Sequence, residues 1–347
     1  MKTVIRKADK EESFQEAAEI LQQGGLVAFP TETVYGLGGN ALDKEAAKKI
    51  YAAKGRPSDN PLIVHIAKKE ALADLTEYVP ERAWTLAEHF WPGPLTMILP
   101  KSEKVPYGTT GGLDTVAVRM PNHPVALRLF QESGIYIAAP SANISGRPSA
   151  TMAEHVIEDF DGRIDMILDG GMVKVGIEST VVDLTEEVPV ILRPGCITKE
   201  MLEEVLGDIV VDQAILPENQ DKPLIPKAPG MKYRHYAPKA DLTIVTGDFK
   251  KVKETINRLI AQNQEKGLKT GVITTTESQK DYPGGVVRCI GTRGEEETIA
   301  RGLYKVLREF DHLQVDCIYA ESFEEGNMGA AIMNRLQKAA GYAIIEV

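Results

Sequence analysis

Lys54 and Arg56 stand one residue apart, and the polar residues Ser58, Asp59 and Asn60 come soon after them. A lysine meets a polyphosphate as a point charge and an arginine meets it as a bidentate fork, so the pair suits a polyphosphate. The plainer reading is a favourably charged helix end in solvent. Two more cations close short apolar runs: Arg119 precedes Pro121 by two residues, and Arg193 is followed at once by Pro194 and Gly195. Hydroxyl and amide groups accompany them at Thr33, Ser141, Asn143, Ser149 and Ser179. His65 lies inside an apolar run, where a lone histidine is more often structural than a ligand contact. This is an anion-binding inventory without a Ser-His-Asp arrangement, paired acid/base carboxylates or a nucleophilic cysteine. Its natural chemistry is positioning and charge stabilisation during phosphoryl or nucleotidyl transfer. Mg2+ is then expected with ATP, held largely by the phosphates, and no protein metal site is expected.

The elements that must position these groups alternate between strands and helices. Residues 13–23 have helical apolar spacing and stop at Gly24 and Gly25, and residues 26–29 form a buried strand that runs into Thr31-Glu-Thr-Val-Tyr-Gly-Leu37, read as a glycine-interrupted loop. A helix over 43–53 delivers Lys54 and Arg56. Strands are expected over 62–66, 95–99, 115–120, 135–139, 164–168, 179–184 and 190–192, with helices over 71–90 (divided by Pro80), 124–133 and 199–206. Residues 140–149 gather Ser, Asn, Gly and Pro in a loop whose backbone N–H groups suit a phosphate or ribose, or simply a capped turn. Short strands with glycine breaks favour a mixed twisted sheet, and no Gly-x-Gly-x-x-Gly or Walker-type motif stands in the required context. From residue 241 onward a second α/β rhythm predicts a smaller, mostly parallel sheet, with Glu321, Glu324 and Glu325 read as a solvated acidic loop.

The chain has 347 residues and a formal net charge of −10, −7 of it over residues 1–200. That length suits two cores, and that charge argues against autonomous, salt-driven nucleic-acid binding. No signal peptide or membrane-spanning run is visible, so a cytoplasmic location is expected. Cys196, Cys289 and Cys317 have no metal-ligand spacing and read as ordinary thiols. Residues 212–240 are rich in proline and charge, a linker composition, yet Lys232 to Tyr236 is dense in rings and cations that suit a nucleotide.

Taken together, Thr31-Glu-Thr-Val-Tyr-Gly-Leu37, Lys54-Gly-Arg56 with Asn60-Pro-Leu62, Arg119-Met-Pro121, Ser141-Ala-Asn143-Ile-Ser-Gly146, Glu178-Ser-Thr180 and Arg193-Pro-Gly195 resemble the YrdC-type threonylcarbamoyl-AMP synthases, in consistent order over residues 10–200. The Pro229-Gly-Met-Lys-Tyr-Arg-His-Tyr-Ala-Pro238 stretch and the α/β region after it resemble the longer, two-domain branch of that family. The resemblance implies a YrdC-like twisted mixed sheet with flanking helices over 10–205, a linker and active-site lid over 206–240, and a Rossmann-like α/β domain over 241–347. It implies that L-threonine, bicarbonate or CO2, and ATP become L-threonylcarbamoyl-AMP and pyrophosphate. The product would pass to the machinery that forms tRNA threonylcarbamoyladenosine, with no stable tRNA binding and no membrane required.

Residue by residue, the resemblance implies that Thr33, His65, Arg119 and Ser179 form the threonine pocket, with Arg119 the partner of the substrate carboxylate. It places Lys54, Arg56, Asn60, Thr115, Ser141, Asn143, Ser149 and Arg193 against ATP, with Ser141 between the two substrates, and Arg234, His235 and Tyr236 in the lid. Lys54 and Arg56 carry the catalytic role. The competing reading is an RNA-binding or nucleotide-sensing relative of the same fold, which would release no threonine-dependent pyrophosphate. A carbamoyl-phosphate-dependent relative is disfavoured, because the cysteine-rich zinc segments of the large hydrogenase-maturation proteins are missing.

Overall fold

The structure is a computed structural model that describes residues 2–213, 227, 235–323 and 328–347. The chain runs β1 (Val4–Lys7), α1 (Glu11–Gln22), β2 (Val27–Phe29), β3 (Gly36–Asn40), α2 (Lys44–Lys54) and β4 (Ile63–His65). A short helix α3 (Leu72–Leu75) leads to α4 (Glu81–Phe90), β5 (Leu95–Pro100), α5 (Tyr107–Thr110), β6 (Thr115–Arg119), α6 (Pro124–Ser133) and β7 (Ile137–Ala139). Then come α7 (Ala153–Phe160), β8 (Met166–Asp169), β9 (Thr180–Asp183), β10 (Val190–Arg193), α8 (Lys199–Leu206) and β11 (Val210–Val211). These strands form one 11-stranded mixed sheet in the order β1-β8-β2-β3-β7-β4-β6-β5-β9-β10-β11. The mixed twisted sheet expected from the sequence is the one observed.

Alternation along the central strands explains why both faces are covered. Leu26 and Ala28 enter one apolar cluster while Val27 and Phe29 enter the other, and Ile167 and Ala138 divide from Met166, Leu168, Ile137 and Ala139 in the same way. Helices α1 and α6 close the second face with Phe14, Ala17, Leu21, Ala126, Leu129 and Phe130. The ends of α6 follow from local chemistry, since Pro124 occupies its first turn and Gly134 takes the left-handed conformation (φ 64°) that stops it.

The region expected as a glycine-interrupted loop is in part strand β3, paired on both edges with β2 and β7. Its glycines are required by close approach. A Cβ on Gly38 would lie 2.7 Å from both Ile137 Cγ2 and Phe29 Cε1, so only a bare backbone lets the Phe29 ring pack there. The sheet also extends N-terminal of residue 10, because β1 pairs with β8, and past residue 205, because β11 pairs with β10.

The chain divides into two compact units: Met1–Ser145, Ser149–Lys174 and Glu178–Tyr233 form the first, and Gly146–Pro148, Val175–Ile177 and Arg234–Val347 form the second. In the second, β12 (Asp241–Thr246), α9 (Phe249–Glu265), β13 (Thr270–Thr274), β14 (Val286–Cys289), α10 (Glu296–Leu313), β15 (Cys317–Glu321), α11 (Gly329–Ala339) and β16 (Ile344–Glu346) build a five-stranded sheet ordered β14-β13-β15-β12-β16. Every pairing in it is parallel, as a repeated strand–helix crossover requires. The unit holds residues 146–148 through a buried arginine, Arg308, whose Nε and Nη2 donate to the Pro148 carbonyl at 3.1 and 2.7 Å. The acidic loop expectation is corrected at Glu321, which is only 1% exposed. At the carboxyl end of β15 its Oε1 accepts from Thr274 (2.9 Å) and Tyr282 (2.7 Å), and its Oε2 accepts from Arg293 (2.5 Å). A buried carboxylate needs such a set of donors, and periodicity does not announce them. Glu324 and Glu325 lie outside the described residues.

Candidate active site

Parallel strands β4 and β6 bring their last residues into register, His65 beside Arg119. Arg119 is 4% exposed and its guanidinium is held from three directions. Nε donates to the Gly93 carbonyl at 3.3 Å, Nη1 to Thr33 Oγ1 at 3.0 Å, and Nη2 to Glu32 Oε1 at 2.7 Å. Each partner is placed by its own local structure. Thr31 folds the 31–34 turn by accepting from the N–H groups of Thr33 and Val34 while its hydroxyl donates to the Val34 carbonyl. Gly93 follows the Trp91–Pro92 turn, where a Cβ would sit 2.3 Å from the Phe90 carbonyl oxygen.

A second group lies at the start of β9 and the end of β10. Ser179 Oγ lies 2.8 Å from Thr96 Oγ1, and Arg193 donates to Ser179 twice, from Nε to its carbonyl and from Nη2 to its hydroxyl, each at 3.0 Å. The following Gly195 fits because a Cβ there would be 2.4 Å from the Thr180 nitrogen. Ser149 donates to Glu178 Oε1 at 2.6 Å, so the neighbour of Ser179 is tied to the 140–149 loop.

Lys54 is no exposed helix end. It is 2% exposed, at the last residue of α2, and its ammonium donates to the carbonyls of Ser141 (2.6 Å) and Asn143. The Ser145 N–H in turn donates to the Lys54 carbonyl at 2.9 Å, and Ser141 bridges to Gly36, so the 141–145 loop is fixed to both α2 and β3. Ser141 Oγ donates to Asn143 Oδ1 at 2.6 Å. Gly55, left-handed at φ 60°, ends α2 and turns the chain so that Arg56 Nη2 reaches the carbonyls of Asn60 (3.3 Å) and Pro61 (3.1 Å). The Asn60 carbonyl also accepts from Tyr51, whose hydroxyl burial pushes up to about 12. Asn60 itself is buried, and its side-chain Oδ1 has no partner among the described residues.

The remaining expected residues fall in two places. Thr115 begins β6, about 13 Å of strand from Arg119, at the end where the parallel β4–β6 register, with Ile63 beside Ala117, runs back towards Asn60 and Pro61. His235 and Tyr236 belong to the second unit, where their rings lie 5.6 Å apart and Tyr236 packs on Tyr304 at 5.1 Å. Arg234 lies outside the described residues. Conversely, Glu32 and Thr96 pair with Arg119 and Ser179 although neither stands out in the sequence. Glu32 is legible only as part of the Thr31–Leu37 run, and Thr96 carries no sequence signal beyond membership of a strand. Among the described residues, no group of three or more His, Cys, Asp or Glu is placed to hold a metal ion, and no helix is long and apolar enough to cross a membrane.

Burial, and then the positive charge of Arg119, push His65 down to about 3. Its Nδ1 lies 3.1 Å from the Ile63 carbonyl and its ring sits 6.3 Å from Phe29 and 6.2 Å from Phe130. A neutral imidazole is therefore built into the folded site. Unfolded, the same ring takes up a proton near 6.5, so between about 3 and 6.5 the unfolded state binds more protons. The stabilisation from His65 is complete above 6.5 and is lost as pH falls. At pH 5 this group alone costs about 2 kcal/mol. Urea unfolding followed by tryptophan fluorescence reports on the first unit, because Trp84 and Trp91 are the chain's two tryptophans. His65→Phe is expected to flatten the pH 5 to 7 stability difference by about that amount; an unchanged difference would show that His65 is not held neutral.

Residues 19–195 match the Sua5_yciO_yrdC family model, described as telomere recombination, and residues 197–341 match the threonylcarbamoyl-AMP synthase C-terminal domain. The threonylcarbamoyl-AMP synthase of Pyrococcus abyssi is 54% identical, over 99% of this chain and 98% of its own length. That of Bacillus subtilis is also 54% identical, over 95% of this chain and 93% of its own. The crystal structure of P. abyssi Sua5 complexed with L-threonine superposes with a TM-score of 0.92 at 52% identity, covering 99% of this chain and 98% of that one. The chain belongs to the threonylcarbamoyl-AMP synthase family, in its two-domain form.

Proposed function

We infer that the protein forms L-threonylcarbamoyl-AMP and pyrophosphate from L-threonine, bicarbonate or CO2, and ATP, the first step towards tRNA threonylcarbamoyladenosine. The observation that carries this reading is the connected set of contacts between two arginines: Arg119 donates to the Gly93 carbonyl, Thr96 three residues on pairs with Ser179, and Arg193 donates twice to Ser179. It ties a guanidinium suited to an amino-acid carboxylate to a second cation suited to a phosphate, which is what coupling an amino acid to a nucleotide requires.

The threonine ammonium gives up a proton to solvent, the free amine adds to CO2, and a second proton passes to solvent as N-carboxy-threonine forms. A carbamate oxygen then attacks the α-phosphorus of ATP, the bond to the bridging oxygen breaks, and pyrophosphate leaves with that electron pair. Mg2+ enters with ATP as part of the substrate, liganded by phosphate oxygens. Arg119 would hold the threonine carboxylate, with Thr33, His65 and Ser179 around the rest of the amino acid. Lys54, Arg56 and Arg193, with Asn60, Asn143, Ser141 and Ser149, would take the nucleotide, the cations opposing charge that develops as pyrophosphate departs. A neutral His65 suits a role in substrate binding, since a second positive charge beside Arg119 is costly in a buried site. Arg234, His235 and Tyr236 are assigned to the nucleotide as a lid, which would keep water from the labile carbamate and acyl adenylate.

Mass spectrometry of a reaction containing purified protein, ATP, Mg2+, bicarbonate and L-threonine tests the reading directly. Threonylcarbamoyl-AMP and pyrophosphate are expected in the complete mixture and in none that omits ATP, threonine or the carbon source. Folded protein that binds ATP but yields no product would overturn it.

A further inference from the structure

The Arg119 pocket contains a group to which the reaction gives no role. Glu32 is 6% exposed, and only one of its carboxylate oxygens is engaged, Oε1 with Arg119. Oε2 is buried and has no hydrogen-bond partner among the described residues. A buried carboxylate oxygen without a donor is destabilising, because it has given up water and gained nothing in return. Such an atom calls for an explanation, and beside an arginine with spare donors a ligand's own donor supplies one.

The donor's chemistry follows from the rest of the pocket. Of the five N–H groups of a guanidinium, Arg119 directs three to Gly93, Thr33 and Glu32. Two remain, enough for one substrate carboxylate. The pocket therefore presents one positive group with spare donors next to one negative group with a spare acceptor. His65, held neutral, adds no charge, and neither does His123, which burial pushes below its ordinary value despite the nearby Glu32 charge. The ligand that matches is a zwitterion, with a carboxylate for Arg119 and an ammonium for Glu32.

We propose that Glu32 Oε2 receives the α-ammonium group of the substrate amino acid, so that Glu32 selects an α-amino acid over a hydroxy acid of the same shape. The proposal rests on the assignment of L-threonine to the Arg119 pocket. It gives Glu32 two roles, holding Arg119 through Oε1 and reading the amine through Oε2. A purely structural Glu32 would do only the first.

Calorimetric titration of the full chain with L-threonine and with (R)-3-hydroxybutanoate, which is threonine without its amino group, separates the two roles. Wild type is expected to bind L-threonine about 30-fold or more tightly than the hydroxy acid, the usual scale for a charge-assisted hydrogen bond. Glu32→Gln keeps the shape and an oxygen for Arg119. It is expected to weaken L-threonine about 30-fold and to change the hydroxy acid by less than about 3-fold. An equal loss for both ligands would mean that Glu32 acts only by holding Arg119, and undiminished threonine binding by the variant would mean that Oε2 does not touch the amine; either result overturns the proposal. If the variant fails to fold, the wild-type comparison decides alone, since equal affinity for the two ligands overturns it. Wild type that binds neither ligand overturns the threonine assignment itself, a different result from the others.

Discussion

Replacing Lys54 with Met is expected to lower kcat/KM for ATP by about 10²- to 10³-fold while leaving L-threonine binding within a few-fold of wild type. The ammonium lies at the end of α2, 2% exposed, and bonds to carbonyls of the 141–143 segment. A cation so enclosed acts through a low local dielectric, where its charge is worth far more to a departing pyrophosphate than that of a surface lysine. Met preserves length and apolar bulk, so the change isolates the charge and its hydrogen bonds. A stability cost of about 1–3 kcal/mol accompanies it, because the freed carbonyls of Ser141 and Asn143 are left without this donor. Threonine binding is the internal control. On the proposed assignment it rests on Arg119, Thr33 and Ser179, whose hydrogen bonds run to one another and to Gly93, Glu32, Thr96 and Arg193. Steady-state kinetics with ATP varied, beside calorimetry with threonine alone, checks both halves. Near-normal turnover in a folded variant would remove Lys54 from the chemistry, and joint loss of turnover and threonine binding would show that its role is to hold the 141–145 loop.

What the sequence discloses here divides by the range of the interaction responsible. Helices α6 and α8 end where local signals place them: Pro124 and Gly134 bound the first, and Thr198, whose hydroxyl accepts from the Met201 N–H, starts the second before Gly207. Such signals act within one turn and are visible in the residues themselves. Arg119 is conspicuous for a related reason, since a cation closing an apolar strand must find a partner. Strand β3 is hidden because its glycines look like a loop, and only side chains from elsewhere in the fold explain them, Phe29 and Ile137 at Gly38 and Leu26 and Ala46 at Gly39. Edge strands β1 and β16 are short and half-exposed, with too little alternation to stand out. The identities of buried partners are the least legible. Nothing local separates Glu32, whose carboxylate faces an arginine 87 residues away, from an acidic residue in a turn. Glu321 reads as solvated until Thr274, Tyr282 and Arg293 are brought to it by the parallel sheet. Composition reports that a polar group exists, whereas the fold decides whether water or protein satisfies it.

That distinction makes the Arg119–Glu32 pair the most sensitive point of the first unit. Both side chains are more than nine-tenths buried and their ion pair spans 2.7 Å. Burying such a pair carries a desolvation cost that its attraction roughly offsets, but removing one member strands the other charge. Arg119→Leu is therefore expected to destabilise the first unit by about 3–5 kcal/mol, read from urea unfolding through Trp84 and Trp91. Adding Glu32→Leu to Arg119→Leu eliminates the stranded carboxylate, including the Oε2 that already lacks a partner. The double variant is expected to regain most of the lost stability, a coupling of about 2–3 kcal/mol in the cycle. Threonine binding should not return, because no guanidinium remains for the substrate carboxylate. Stability and function would thus separate within one pair of residues, the expectation for charges kept for a ligand at some cost to the fold. Additive losses in the cycle would show that the two residues act independently and that the buried pair is not the unit that matters.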